Sequence, residues 1–505
     1  MSASLERREL VIVGGGPAGM AAALEARRAG VQVTLVEERA TLGGQIYKQP
    51  PPEFAVRQPK ALGKEYVAGR VVVERTLGSG AEVLAGHAVW NVWGRGPFDV
   101  AVYQHGGTAR TLRTEHLILA TGAYDRPVPF PGWTLPGVLT AGGAQSMVKI
   151  QQVYPGRRIL MAGSGPLILA FSVQLHKLGA NVVGVLEAAP QPGPGTVARL
   201  LRGALGGNLP LLREGIGYLA YLRQHGIPLH YGHAIARAEG TEQATGAVAV
   251  QVDRDWRPIA GTERRFDVDT ICIGYGFLPS LEIPRLLGCA LRYDENQGGH
   301  IPARDADFQS SVPGLFVVGD GAGVAGSAVA IEEGRIAGIV VARSIGRLDG
   351  ATAEERLGPR RRRLAQLERF RAALDTAYRI GPGIYEWATD ETVVCRCEEV
   401  TVGEVRRHIR PGSRDPNAVK SLTRIGMGLC QGHNCSQQVS AIFAQETGRP
   451  LLELPPLSPR PPVRPVPVGL IADTSVPEMP SRIVRLPEVE VGDPQKSDVA
   501  PEADR

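Results

Sequence analysis

Residues 9–38 read ELVIVGGGPAGMAAALEARRAGVQVTLVEE. An apolar run passes into glycines, then into apolar residues at helical spacing, then into alternation, which is the pattern strand, turn, helix, strand. A right-handed βαβ unit is the fold this order calls for. Within it Gly14, Gly16 and Gly19 keep the G-x-G-x-x-G spacing. The first allows a tight turn, the second lets a pyrophosphate approach the backbone, and the third lets helix and strand pack closely. The helix N-terminus then offers phosphate its unsatisfied N–H groups and the positive end of its dipole. Glu37, at the end of the second strand, is placed to accept hydrogen bonds from a ribose and to repel a 2′-phosphate. A tight turn alone explains many glycine patterns. Strand, helix and acidic residue together point to a bound nucleotide.

The pattern returns at 157–190, RRILMAGSGPLILAFSVQLHKLGANVVGVLEAAP. Gly163 and Gly165 hold the first two glycine positions and Glu187 ends the next strand, but Ile168 stands at the third. A branched side chain there is expected to push the helix from the strand and crowd the site. This copy therefore reads either as a second nucleotide site, for NADH rather than NADPH, or as a structural relic. The first pattern resumes at 312–346, VPGLFVVGDGAGVAGSAVAIEEGRIAGIVVARSIG, so the second unit is inserted into the first.

FAD and NAD share the glycine fingerprint, and three further segments choose between them. SSVPGLFVVGDGAG (310–323) resembles the aspartate motif of two-dinucleotide flavoproteins, which implies that Gly319 and Asp320 hold the ribityl chain. LILATGAYDRPVPFPG (117–132) resembles their crossover at Thr121 and Gly122, and Gly43, Gly44 and Gln45 resemble the flavin-contacting turn. No C-x-x-C or C-x-x-x-x-C follows either glycine loop, so the thiol pair of a disulfide reductase is missing and electrons leaving a flavin need another route.

Four of the six cysteines lie in one window, Cys395 and Cys397 in VVCRCEEVT, then Cys430 and Cys435 in GMGLCQGHNC. Four thiolates at this spacing suit a [2Fe-2S] cluster or structural zinc, and a metal-free fold is the third reading. Gly426, Gly428 and Gly432 allow backbone N–H groups to point at sulfur, which favours a cluster. His433 is expected to face solvent, and Cys272 and Cys289 to be buried core thiols. The segment resembles bacterioferritin-associated-ferredoxin-like [2Fe-2S] domains.

The 505 residues carry a formal charge of only +5, with 5% aromatics and 63 glycines, an ordinary globular composition rich in tight turns. The basic run PRRRRLAQLERFR from Pro359 has apolar residues at helical spacing and reads as a solvated helix face, without a nucleic-acid fold signature. No apolar run is long enough for a membrane span, and the expected location is the cytoplasm. The expected organisation is a two-dinucleotide-binding α/β flavoprotein of Rossmann type. Residues 1–150 and 276–346 form the flavin unit and 151–275 the inserted nucleotide unit. Residues 347–390 form a helical linker, 391–446 the four-cysteine domain, 447–485 an extended proline-rich segment and 486–505 a disordered tail.

With these residues assembled, the chain to about residue 470 resembles the α subunits of heteromeric flavin dehydrogenases for amino acids and opines. The group includes the A subunit of opine oxidase, a D-hydroxyproline dehydrogenase subunit and the flavin subunit of hydrogen cyanide synthase. The carriers are ATGAYDRPVPFPGWTLPGVLTAGGAQ (120–145), AGSGPLILA (162–170), the cysteine segment and RPPVRPVPVG (460–469). The resemblance implies an electron-transfer subunit with FAD and a [2Fe-2S] cluster. It further implies FMN at a subunit interface or another adenine nucleotide in the first site. The implied partners are an amino-acid-oxidase-like β subunit that oxidises the C–N bond, a small third subunit, and a quinone-type acceptor. A self-contained NADH reductase and a non-catalytic scaffold are the alternatives.

Overall fold

The computed structural model describes residues 5–472 apart from 52, 55, 57, 58, 105, 411 and 414. After a short strand at Leu5–Arg7 come β1 (Leu10–Val13), α1 (Pro17–Arg28) and β2 (Val33–Glu37), followed by β3 (Glu82–Ala85), a three-stranded antiparallel excursion over 87–114 whose last strand also pairs parallel with Leu5–Arg7, and β4 (Leu117–Leu119). Next come β5 (Val138–Thr140), β6 (Arg158–Gly163), α2 (Pro166–Lys177), β7 (Asn181–Glu187), α3 (Pro194–Ala204), β8 (Leu229–Tyr231) and β9 (Thr270–Gly274). The chain then returns through β10 (Leu315–Val317), α4 (Ser327–Ser344) and the long α5 (Gly350–Ala377).

Two five-stranded parallel sheets result, ordered β10-β4-β1-β2-β3 and β5-β9-β6-β7-β8. β1, β2 and β4 are buried along their whole length, as strands covered on both faces must be, and their sequences are correspondingly apolar. α4 lies against α1 because Gly334 and Gly338 carry no Cβ, which would meet the carbonyls of Ala18 and Ala22.

The second sheet begins earlier than residue 151. Val138, Leu139 and Thr140 pair with Ile271, Cys272 and Ile273, and Ala123–Asp125 pairs antiparallel with Phe277–Pro279. Strands of three residues are too short for periodicity to reveal, so the boundary expected at 151 falls inside the second unit.

α5 starts at Asp349, whose side chain accepts from Thr352 N at 2.9 Å. Its basic run is paired along the surface, Arg361 with Asp307 at 2.7 Å and with Glu354 at 2.9 Å. Beyond it, Val393–Cys395 pairs with Val400–Thr401, a capping box between Thr401 and Glu404 starts the next helix, and α6 (Ser436–Thr447) closes a small core of Val394, Val402, Val405, Val439 and Phe443.

The proline-rich segment is not extended throughout: Leu451–Glu453 forms a 3₁₀ turn and Val468–Ala472 a short helix. It crosses the antiparallel excursion, with Val463 N donating to Trp90 O at 2.9 Å and Tyr103 OH to Pro465 O at 2.7 Å. Once prolines have fixed φ, docking against a sheet costs little further entropy. The tail expected over 486–505 lies outside the described residues. Among the described residues no helix is long and apolar enough to cross a membrane.

Candidate flavin and cluster sites

At the first loop, β1 delivers Gly14 into the turn and α1 begins at Pro17. A Cβ on Gly19 would collide with the carbonyl oxygen of Gly14, so the third glycine sets how closely helix and turn approach. Glu37 is 8% exposed and accepts from Gly15 N at 2.7 Å and Arg39 N at 2.9 Å. Burial pushes its carboxyl above the ordinary range, against the opposing pull of those two amides. The residue facing Gly16 is Gly44, whose Cα would lie 3.7 Å from a Cβ on Gly16. Gln45 next to it is exposed.

The other flavin motifs meet each other beside this loop. Asp320 Oδ1 accepts from Ala325 N at 2.9 Å and Gly326 N at 2.8 Å, and burial raises its pKa. Gly319 N donates to Glu333 at 2.7 Å, and Glu333 is held in turn by Arg304 at 2.6 Å. Gly321 lies against Thr121, where a Cβ would sit 3.0 Å from Thr121 Oγ1, and Ser280 N donates to Gly122 O at 3.0 Å. A cradle of glycines with a buried carboxylate at each end fits a dinucleotide with a ribose at one end and a ribityl chain at the other.

Sequence reasoning missed Lys48, three residues past Gln45. It is 2% exposed, donates to Ser146 Oγ at 2.6 Å and Gly142 O at 3.1 Å, and burial lowers its pKa to about 7. Only its nearness to the glycine turn could have marked it.

The second loop repeats the first. Glu187 is 1% exposed and accepts from Gly165 N and Ala189 N, both at 2.9 Å. Burial pushes its pKa up to about 7, against the pull of these amides. Ile168 does not stand off: it is fully buried, and its Cγ2 fills the space that Gly163 and Gly274 leave, 2.9 Å from where either Cβ would be. The glycine lost from the helix is compensated by one at the end of β9.

The four cysteines form two interacting pairs, Cys395 with Cys435 and Cys397 with Cys430. The hydrogen bond from Cys435, with further N–H donors from Gly426, Glu398 and Cys397, lowers the Cys395 thiol to about 6. Cys435 is held well above the usual thiol range by the same contact and by burial. A Cβ on Gly428 would collide with Cys397, and one on Gly426 would lie 3.9 Å from Cys435 Sγ. Among the described residues no three His, Cys, Asp or Glu side chains gather as a single ion would need. Two thiolate pairs lined by amide donors fit two irons, each held by two sulfurs. Cys272 and Cys289 are buried elsewhere, as expected.

His433 does not face solvent. Its Nε2 is 2.9 Å from Glu282 Oε1, its Nδ1 meets Cys430 O at 2.5 Å, and its ring packs edge-on to Tyr124 at 4.5 Å between centroids. Burial pushes Glu282 upward, but the hydrogen bond and charge of His433 outweigh it and leave the carboxyl below its ordinary range. The whole stretch after Thr121 seats the cysteine unit: Gln438 Nε2 donates to Pro127 O at 2.9 Å and Trp133 Nε1 to Val393 O at 2.6 Å, while Arg396 stacks on the Trp133 ring.

Comparison with known proteins agrees with this geometry. Residues 8–209 and 211–346 match the family described as pyridine nucleotide-disulphide oxidoreductase, and 393–445 the BFD-like [2Fe-2S] binding domain. Hydrogen cyanide synthase subunit HcnB of Pseudomonas aeruginosa is 37% identical over 90% of this chain and 97% of its own. The A subunit of opine oxidase from Rhizobium meliloti is 34% identical over 92% of this chain and 98% of its own. In fold, L-proline dehydrogenase from P. horikoshii superposes with a TM-score of 0.63 at 22% identity, covering 93% of this chain and 80% of that one. The chain belongs to the pyridine nucleotide-disulphide oxidoreductase family, in the group that contains HcnB and the opine oxidase A subunit, and is a flavin and [2Fe-2S] oxidoreductase subunit.

Proposed function

We propose that this chain is the electron-transfer subunit of a heteromeric dehydrogenase that oxidises the C–N bond of an amino acid or opine, with the amine bound mainly in a partner β subunit. The observation that carries this reading is the seating of the cysteine unit on residues 124–133, directly after the Thr121-Gly122 crossover. In a chain without a redox thiol pair, an iron–sulfur unit seated beside the crossover supports an outlet for the electrons of a flavin. Relatives named as subunits of hydrogen cyanide synthase and opine oxidase support a partner, and the name opine oxidase supports an opine-like substrate.

When bound, the flavin takes up electrons in pairs and the cluster passes them on singly. Oxidation of the amine on the partner removes two electrons and two protons, leaving an imine that water hydrolyses. This chain's residues bind and position. Gly14, Gly16 and Gly19 admit the pyrophosphate, Glu37 takes the ribose, Gly44, Gln45, Thr121 and Gly122 border the ring, and Gly319 with Asp320 fixes the ribityl end. Cys395, Cys397, Cys430 and Cys435 hold the cluster, and the Gly426 amide favours its thiolates. Tyr124 and His433 pack against each other at the junction of the two units.

The experiment is to coexpress the chain with a candidate β partner and measure dye reduction with D-hydroxyproline, octopine, nopaline and glycine. Turnover by the complex and none by either chain alone is expected. Turnover at the full rate by the β partner on its own would sink the reading. Mass analysis of the released cofactors distinguishes FAD from FMN or another adenine nucleotide.

A further inference from the structure

The two glycine loops differ in what stands over them. At the first loop the residue opposite Gly16 is Gly44, which has no side chain. At the second, a Cβ on Gly165 would lie 3.9 Å from Cγ of Tyr378, the residue that ends α5. Tyr378 is half-buried there. Its hydroxyl is held above its ordinary range by burial first and then by the charges of Glu187 and Tyr231.

The segment that carries the ring is held on both sides. Before it, α5 lies on the second unit: a Cβ on Gly203 of α3 would lie 3.2 Å from Phe370 Cα, and Asn208 Nδ2 donates to Gln366 O at 2.9 Å. After it, Gly383 N donates to Asp255 O at 2.8 Å and Trp387 Nε1 to Trp256 O at 2.8 Å. The segment ends at the cysteine unit, where the Tyr385 hydroxyl accepts from Arg126 at 2.8 Å and from Gln437, two residues past Cys435, at 3.2 Å.

We propose that residues 366–387 are a strap that closes the second dinucleotide loop, with Tyr378 standing where a pyrophosphate would approach Gly165, so that the loop takes no NADH while the strap is down. A pyrophosphate binds such a loop by close approach to the glycine backbone, and an aromatic ring within van der Waals reach of the place a Gly165 side chain would take occupies the space that approach needs. The reading goes beyond the proposed function and does not depend on the identity of the amine.

The test uses the full, cofactor-loaded chain and needs neither amine nor partner. ADP-ribose, which cannot reduce the flavin, is titrated calorimetrically into the wild type and Tyr378→Ala, and hydrogen exchange locates the binding. The wild type is expected to show no saturation up to about 1 mM, and Tyr378→Ala to bind at least about tenfold more tightly with protection at 163–168. Tyr378→Phe keeps the ring and stays closed. Tyr378→Ser supplies the same readout should the Ala variant fail to fold. Saturation of the wild type well below about 1 mM with protection at 163–168, or no gain in either small variant, overturns the proposal.

Discussion

His433 Nε2 and Glu282 Oε1 lie 2.9 Å apart with side chains 14% and 16% exposed, joining the loop between the second pair of cysteines to the flavin unit. Removing one partner of a nearly buried hydrogen-bonded pair leaves the other unsatisfied, at a cost of about 1–3 kcal/mol. Glu282→Ala should lower the thermal midpoint of the cofactor-loaded chain and release the cysteine unit to limited proteolysis. Glu282→Gln, which keeps an acceptor, should recover part of the loss. Equal proteolysis of wild type and Glu282→Ala would show that the pair does not hold the two units together.

The third glycine position should behave oppositely in the two loops. Gly19→Ala places a Cβ against the Gly14 carbonyl and should cost about 1–3 kcal/mol by overpacking, with loss of bound flavin. Ile168→Ala instead empties a fully buried site and should cost about 2–5 kcal/mol as a cavity, with flavin content unchanged once folded. Flavin absorbance per protein, read beside urea unfolding, separates the two effects.

Glu187 gives a pH signature. Its folded pKa of about 7 lies above the ordinary value of 4.5, so between those limits the folded chain binds the extra proton. The contribution is fully present below the unfolded pKa and is lost as pH rises through the folded one. The stability of the wild type minus that of Glu187→Gln should therefore decline from about pH 5 to about pH 8. Glu187→Gln itself turns an amide NH₂ toward Gly165 N or Ala189 N and should be less stable at low pH. A difference that is flat over this range would contradict the buried, unpaired carboxylate.

Gly428→Ala should block cluster assembly without unfolding the flavin unit, because the new Cβ meets Cys397. Iron and acid-labile sulfide per chain should fall to near zero while flavin stays bound. Cys272→Ser, far from the cysteine unit and fully buried, should leave iron content unchanged.

The two glycine loops, their acidic residues and the two cysteine clusters, C-x-C and C-x-x-x-x-C, were legible because each rests on local spacing within a single turn or βαβ unit, whereas the pairing of Cys395 with Cys435 and Cys397 with Cys430 runs between the clusters. What escaped were relationships across the fold. Nothing local says that Gly274, over a hundred residues from Ile168, makes room for its methyl group, or that His433 finds Glu282. The strand at Val138–Thr140 was hidden by its length, and Tyr378 ends a helix whose sequence marks it only as a charged linker.

In the proposed function, electrons enter from an amine on a partner and leave through the cluster. The most direct measurement follows flavin absorbance near about 450 nm and the low-temperature EPR spectrum after anaerobic mixing of the cofactor-loaded chain, first with NADH and then with amine and the β partner. No bleaching is expected with NADH, and bleaching together with a reduced-cluster signal once partner and amine are present. Rapid bleaching by NADH alone would contradict that function.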